Sequence, residues 1–456
     1  MYDTVIRNGL VVTHDSTIEA DIAIKNGKIL SIGARGSLKE GKTELNATGK
    51  VIMPGLIDPH VHIKHPFKDT FSQDDFYTAT IAAARGGTTT VIDFAIQWDK
   101  KLNLAETVAL RKKQADGQVV IDYALHVCPT KSSMDTAKEL PKIVELGIPS
   151  FKLYMIYRKQ GRMTDDGIIF RALEEVKNDG IVGVHAENSA IAEFSEEDYL
   201  NRGLSSPAAF PMVKPNIVEA EAINRVLYLN KCAQGNLYIF HLSTAEGLEM
   251  VAEARGKGQS VTAETCTHYL VLTEDYYKRS DGANFICSPP LRSYDDVDAL
   301  WKGVANGTID VIGSDHCGFG KEQKALGNGD FSKTPNGLPG IELRLPVIYT
   351  EGVLKKRISI NRMVEALSTN PAKIFGLYPK KGAILPGSDA DLAIVDLNEE
   401  REIITSNLSG SVDWSPYEGM HLRGFAETVI SRGEIIVNNG VFKGKRGRGK
   451  FLERKL

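Results

Sequence analysis

The sequence predicts an α/β protein: a (β/α)8 barrel of the TIM type, with a small β-sandwich-like domain formed by both termini. Three observations predict it. Eight short apolar runs alternate with helical patterns through the middle of the chain, β-like runs punctuated by turn residues precede them, and the same β texture returns towards the C-terminus.

At the N-terminus the β-like runs are 4–7, 22–24 and 29–32, with Asn26-Gly27 as a hairpin signal between the last two. The strand candidates that follow are 56–62, 89–94, 119–125, 150–154, 181–185, 237–241, 260–264 and 309–315. Helical patterns at 104–114, 134–145, 167–177, 217–232, 247–256 and 295–305 lie between them. Parallel strands joined by helices close most naturally into a barrel. An open doubly wound sheet is the alternative, but no Gly-x-Gly-x-x-Gly or phosphate-binding loop follows the first strand. Residues 389–396 and 427–437, with Gly387 and Gly433 as turn signals, supply the second β unit. Each terminal stretch is too short to bury a core alone, so the two are expected to share one domain. The division is 1–53 and 377–440 for that domain, 54–376 for the barrel, and 441–456 for a basic tail, solvated or at a subunit contact.

Composition narrows the class. With 456 residues, 42% hydrophobic and 25% charged, the chain can bury an extensive core, and its net charge of −3 gives no reason to expect nucleic acid or membrane as a partner. Five scattered cysteines, none spaced C-x-x-C, argue against a disulfide framework or a thiolate metal site. No signal-peptide pattern opens the sequence and no apolar run is long enough to span a membrane, so a reducing cytoplasm is the expected compartment.

The chemistry is written at the strand ends. His60 and His62 are two residues apart in a strand and project to one face, where both imidazoles can reach one metal. Active sites of such barrels sit at the carboxyl ends of the strands, and there the sequence also places Lys152, His185, His241 and Asp315. A single histidine ending an apolar run is usually a hydrogen-bonded core residue. Four histidines and an aspartate at the ends of four separate strands have no structural reason to coincide, and together they predict a metal site. His14, His65, His126, His268 and His421 lack such support, and His316 stands only beside Asp315. Lys152 admits three readings: a salt-bridged barrel lysine, a desolvated lysine of depressed pKa, or a carbamate formed with carbon dioxide.

The segments Asp58-Pro59-His60-Val61-His62, Phe151-Lys152-Leu153-Tyr154, His185-Ala186-Glu187-Asn188, His241-Leu242-Ser243 and Gly313-Ser314-Asp315-His316 resemble the amidohydrolase superfamily, in particular its dihydropyrimidinase and hydantoinase branch. The similarity runs over nearly the whole chain. It implies two divalent ions, usually zinc: His60, His62 and Asp315 on one, His185 and His241 on the other, and carboxylated Lys152 (N6-carboxylysine) bridging both. It implies that Tyr157 donates to the substrate carbonyl and that Ser288 and Asn336 bind a cyclic imide through their main chains. Homotetramers are common in the branch.

Such a site suits hydrolysis of a ring amide. Bound zinc brings the pKa of water to about 7, which provides a metal-bridging hydroxide, and a second ion can polarise the attacked carbonyl. Asp315 is then both ligand and proton shuttle. The expected substrates are dihydropyrimidines or 5-substituted hydantoins, opened to N-carbamoyl amino acids. Dihydroorotases carry an arginine two residues after the second histidine; Lys64 stands there, which disfavours dihydroorotase and also allantoinase, similar around this loop. Pro66, Phe67, Ile96, Trp98, Tyr154, Met155 and Ile156 are expected to shape a pocket for the ring substituent. The collapsin-response mediator proteins share the fold without the ligands, and mononuclear deaminase-type amidohydrolases do without the lysine; both remain alternatives.

Overall fold

A two-residue turn through Asn26 (φ 52°) and Gly27 (φ 75°) opens the structure, because only residues tolerant of a left-handed backbone can join strands Thr17–Lys25 and Lys28–Gly33 so tightly. The computed structural model describes residues 1–456. Tyr2–Val12 pairs antiparallel with Thr17–Lys25 and parallel with Gly41–Asn46 and Val51–Pro54. The C-terminal strands Leu392–Glu402, His421–Ser431, Glu434–Asn438 and Val441–Phe442 continue the same sheet, because Val51–Pro54 pairs antiparallel with Leu392–Val395. Both termini thus build one nine-stranded mixed sheet.

All eight barrel strands form: Leu56–Val61, Thr88–Ile96, Asp122–Cys128, Ser150–Tyr154, Ile181–His185, Leu237–Ile239, Val261–Cys266 and Val311–Gly313, parallel and in chain order. The ring closes where Val61 bridges His316 and the His62 N–H donates to the His316 carbonyl at 2.8 Å. The third strand begins later than its apolar run, since Val119, Val120 and Ile121 are fully buried beneath it rather than paired in it. A strand buried on both faces shows no alternation to mark its ends. The sixth and eighth strands stop short of His241 and Asp315, which stand on left-handed backbone just beyond (φ 40° and 47°).

The six expected helices are present as Leu104–Ala115, Met134–Glu145, Asp166–Glu175, Asn216–Ala233, Ala245–Gly256 and Tyr294–Asn306. Further helices lie outside that set, the two longest being Phe76–Arg85, held by an Asp75/Thr78 capping box, and Ser189–Asn201, capped by Asn188.

Lys443, Lys445, Arg446, Lys450 and Lys455 of the basic tail are exposed, while Leu452 and Arg454 are buried. The tail's main chain pairs with the start of the third barrel strand: the Tyr123 N–H donates to the Lys450 carbonyl (2.9 Å) and the Leu452 N–H to the Tyr123 carbonyl (2.8 Å). Arg454 is buried against the Leu125 carbonyl and Ser150 Oγ. The unpaired backbone at the amino ends of the strands offers acceptors, and the tail satisfies them. Close by, Lys381 joins sheet to barrel: its buried ammonium lies 2.6 Å from Asp122, 3.0 Å from Asp389 and 2.6 Å from Asp391.

Candidate active site

Side chains from several barrel strands converge at the carboxyl rim. The Nε2 atoms of His60 and His62 are 3.2 Å apart, and Asp315 Oδ1 lies 3.0 Å from the first and 3.2 Å from the second. Lys152, from the fourth strand, brings Nζ to 2.9 Å of His60 Nε2. The His241 ring stands 5.4 Å from that of His60 and 4.4 Å from that of His185. The two residues on left-handed backbone, His241 and Asp315, carry a cost on the order of 1–3 kcal/mol each, which the packed rim must sustain.

Carboxylates behind the ring orient the imidazoles. Glu264, from the seventh strand, bonds His60 Nδ1 and itself accepts from the Tyr238 hydroxyl at 2.7 Å, leaving His60 Nε2 towards the centre. Glu187 Oε2 lies 2.6 Å from His185 Nε2 and also receives Lys214 (3.1 Å) and the Ser288 hydroxyl (3.0 Å). Both nitrogens of His241, and Nδ1 of His62, are buried with no partner.

Burial pushes the His62 imidazole down to about 3 and His185 to about 4, and holds His241 well below its usual range. These rings are neutral and present lone pairs. Burial and Lys152 also oppose charge on His60, yet the Asp315 and Glu264 carboxylates outweigh them and draw it upward, so positive charge is favoured at that point. Burial lowers Lys152 from the ordinary amine value. Neutral imidazoles beside a carboxylate are the donors that zinc-like ions take, and a buried unpartnered nitrogen costs about 1–3 kcal/mol unless something binds it. The residues fit a divalent cation.

Above this floor opens a cavity of about 500 Å³, whose walls include Tyr157, Ser288 and Asn336. The Tyr157 ring is 5.3 Å from His185, on backbone with φ 70°. Of the apolar residues expected to shape the pocket, Pro66, Phe67, Trp98, Tyr154 and Ile156 line it, whereas Ile96 and Met155 are buried elsewhere. Lys64 is exposed and does not line the cavity.

The structure excludes His316 as a ligand, since its Nε2 meets Asp74 at 3.1 Å and its Nδ1 accepts from the Gly340 N–H at 3.2 Å. His126 is likewise committed, to the Pro59 carbonyl and Ser150 Oγ. Sequence reasoning missed Glu264, Glu187 and Lys214. Glu264 ends a predicted strand and Glu187 lies two residues past His185, so both positions carried a signal; Lys214 sits in an irregular segment and carried none.

A parallel eight-stranded barrel with imidazoles, a lysine and a carboxylate on its carboxyl rim defines a metal-site barrel of the kind that catalyses hydrolysis. The sequence pattern of the amidohydrolase family matches residues 51–435, and the chain belongs to that family. It is 42% identical to the D-hydantoinase of Geobacillus stearothermophilus over 98% of its own length and 96% of that protein. Its structure superposes on a crystal structure of D-hydantoinase with a TM-score of 0.96 at 41% identity, covering 100% of this chain and 99% of the other. A dihydropyrimidinase from Brevibacillus agri NCHU1002 gives a TM-score of 0.96 at 39% identity, with 100% and 99% covered. No helix is long and apolar enough to cross a membrane.

Proposed function

We propose that the protein hydrolyses the ring amide of dihydropyrimidines or 5-substituted hydantoins to N-carbamoyl amino acids. In that reaction water gives its oxygen to the ring carbonyl carbon, the C–N bond breaks, and the departing nitrogen takes a proton. The observation that carries the reading is the convergence of His60, His62, Asp315 and Lys152 with the unpartnered His241 beneath one cavity. The likeness to hydantoinases and a dihydropyrimidinase over the full chain supports it.

His60, His62 and Asp315 would hold one divalent ion and His185 and His241 a second, zinc by the chemistry of the donors. Lys152 would stand between them as a carbamate: burial favours its neutral amine, the form that adds carbon dioxide and releases a proton. When bound, the two ions supply hydroxide at neutral pH and polarise the carbonyl. Asp315 moves the proton from nucleophile to leaving nitrogen. Tyr157 donates to the oxygen on which negative charge develops, and the main chains of Ser288 and Asn336 hold the imide edge. Glu264 and Glu187 keep the imidazoles of His60 and His185 turned as they must be. The assembly expected from the resemblance is a homotetramer, readable by light scattering.

The test is turnover of dihydrouracil, hydantoin, both enantiomers of a 5-aryl hydantoin, dihydroorotate and allantoin by metal-loaded protein, with metal counted by elemental analysis. Ring opening of the first three classes with about two ions per chain is expected. Preference for dihydroorotate or allantoin, or no bound metal and no turnover, overturns the proposal.

A further inference from the structure

One wall of the cavity carries a cation with no counter-ion. Arg162 lines the cavity, yet its guanidinium makes no ion pair and no hydrogen bond with the protein; its main-chain N–H alone is engaged, with the Tyr157 carbonyl at 3.1 Å. Three aromatic rings hold the guanidinium in place: Tyr157 at 4.4 Å, Trp98 at 5.3 Å and Tyr154 at 5.7 Å from their centroids. The loop beneath is fixed as well, since Lys100 donates to the Gly161 carbonyl and the Gly161 N–H to the Arg158 carbonyl.

The rings connect this cation to the chemical centre. Tyr157 lies 5.3 Å from His185; on the other side Trp98 lies 5.3 Å from His65, which is 5.3 Å from His62. Lys68 and Lys159 also line the cavity without a carboxylate partner. The carboxylates that line it are Asp315, committed to His60 and His62, Glu193, which accepts from Ser189 Oγ at 2.7 Å, and Glu196. None of them pairs with Arg162. A planar donor pre-set on an aromatic wall, with its N–H groups open to the cavity, is built to receive a planar two-oxygen anion.

We propose that the wall is an anion subsite in which Arg162, flanked by Lys68 and Lys159, receives a carboxylate at the end of the ring substituent. The inference rests on the reading of the site as a cyclic-amide hydrolase and narrows its substrate class to cyclic ureides bearing a carboxyalkyl group. It differs from recognition of a carboxylate on the ring itself, because Arg162 stands beyond the Tyr157 ring and not among the imidazoles.

The experiment compares kcat/KM for 5-(2-carboxyethyl)hydantoin and its isosteric side-chain amide, using metal-loaded wild type, Arg162→Met and Arg162→Lys. A charge-assisted pair should make wild type favour the carboxylate by about 10- to 100-fold, chiefly through KM, and less so at high salt. The ratio should collapse towards one in Arg162→Met and be partly kept in Arg162→Lys. A wild-type ratio near one, or an Arg162→Met protein that lowers both substrates equally, overturns the inference while leaving the hydrolase reading intact. If neither hydantoin is opened by protein holding its metal, the hydrolase reading itself fails and the inference with it.

Discussion

Lys324 is fully buried, and its Nζ donates to two carbonyls only, Ile286 and Pro335, each at 2.8 Å. Those carbonyls precede the Ser288 and Asn336 segments, which we propose hold the imide, so the lysine ties the two sides of the substrate site together. Burial lowers the amine to about 7. A neutral amine has two N–H groups for two acceptors, whereas an ammonium would leave a third donor unpartnered. Because the folded-state pKa lies below the unfolded value, the stability contributed is complete above the unfolded pKa and is lost as pH falls through about 7. Between those limits the slope is about 1.4 kcal/mol per pH unit, so raising the pH from 7.5 to 9.5 should add about 2.5 kcal/mol to the wild type. Lys324→Met removes the titration and strips the Pro335 carbonyl of its donor, a loss of about 1–3 kcal/mol that does not vary with pH. Urea unfolding of both proteins across this range measures the difference, in which other titrating groups cancel. The gap between wild type and variant should widen with pH, and KM for the imide should rise in the variant. Parallel stability curves would refute a neutral Lys324.

Lys381→Met leaves Asp122, Asp389 and Asp391 buried without their shared cation, and urea unfolding at neutral pH should show a loss of about 3–5 kcal/mol. Asp315→Asn should keep the fold but lower kcat by about 100- to 10,000-fold, and normal turnover with metal still bound rules out the proton shuttle. Glu187→Gln weakens the support of His185, so metal affinity, read by competition with a chelator, should fall about 10- to 100-fold; unchanged affinity means that Glu187 serves Lys214 and Ser288 instead.

The barrel was legible because each of its strands is a short run of apolar residues set between helical patterns, and the rim was legible because chemistry collects at strand ends. What the sequence withheld follows from physical causes. The third strand slid by three residues because Val119, Val120 and Ile121 are as buried as the strand itself. The charge of the tail suggests a solvated segment or a subunit contact and says nothing of Arg454, which lies in the interior because the ends of barrel strands need donors there. Glu264 and Arg162 are ordinary charged residues in one dimension; their meaning depends on a histidine brought from the first strand and on three rings brought from a strand end and two loops.

On the function proposed above, charge balance makes Lys152 the residue on which the number of bound ions would turn. As an ammonium it would set one positive charge against the Asp315 and Glu264 carboxylates, and it would stand 2.9 Å from a nitrogen we assign to a metal. The Phe94 and Phe240 rings, 4.6 and 4.7 Å from Nζ, soften the cost of that cation, but burial still drives the amine below its usual value. In the ammonium form Lys152 offsets one of those two carboxylate charges where a cation would be held. As a carbamate Lys152 would reverse its own sign and present two oxygens, adding a third negative charge to those of Asp315 and Glu264 with which to hold divalent ions. The count of metal per chain therefore reports the chemical state of one buried lysine, and a count near one would be the mark of an unmodified Lys152 and a mononuclear mechanism.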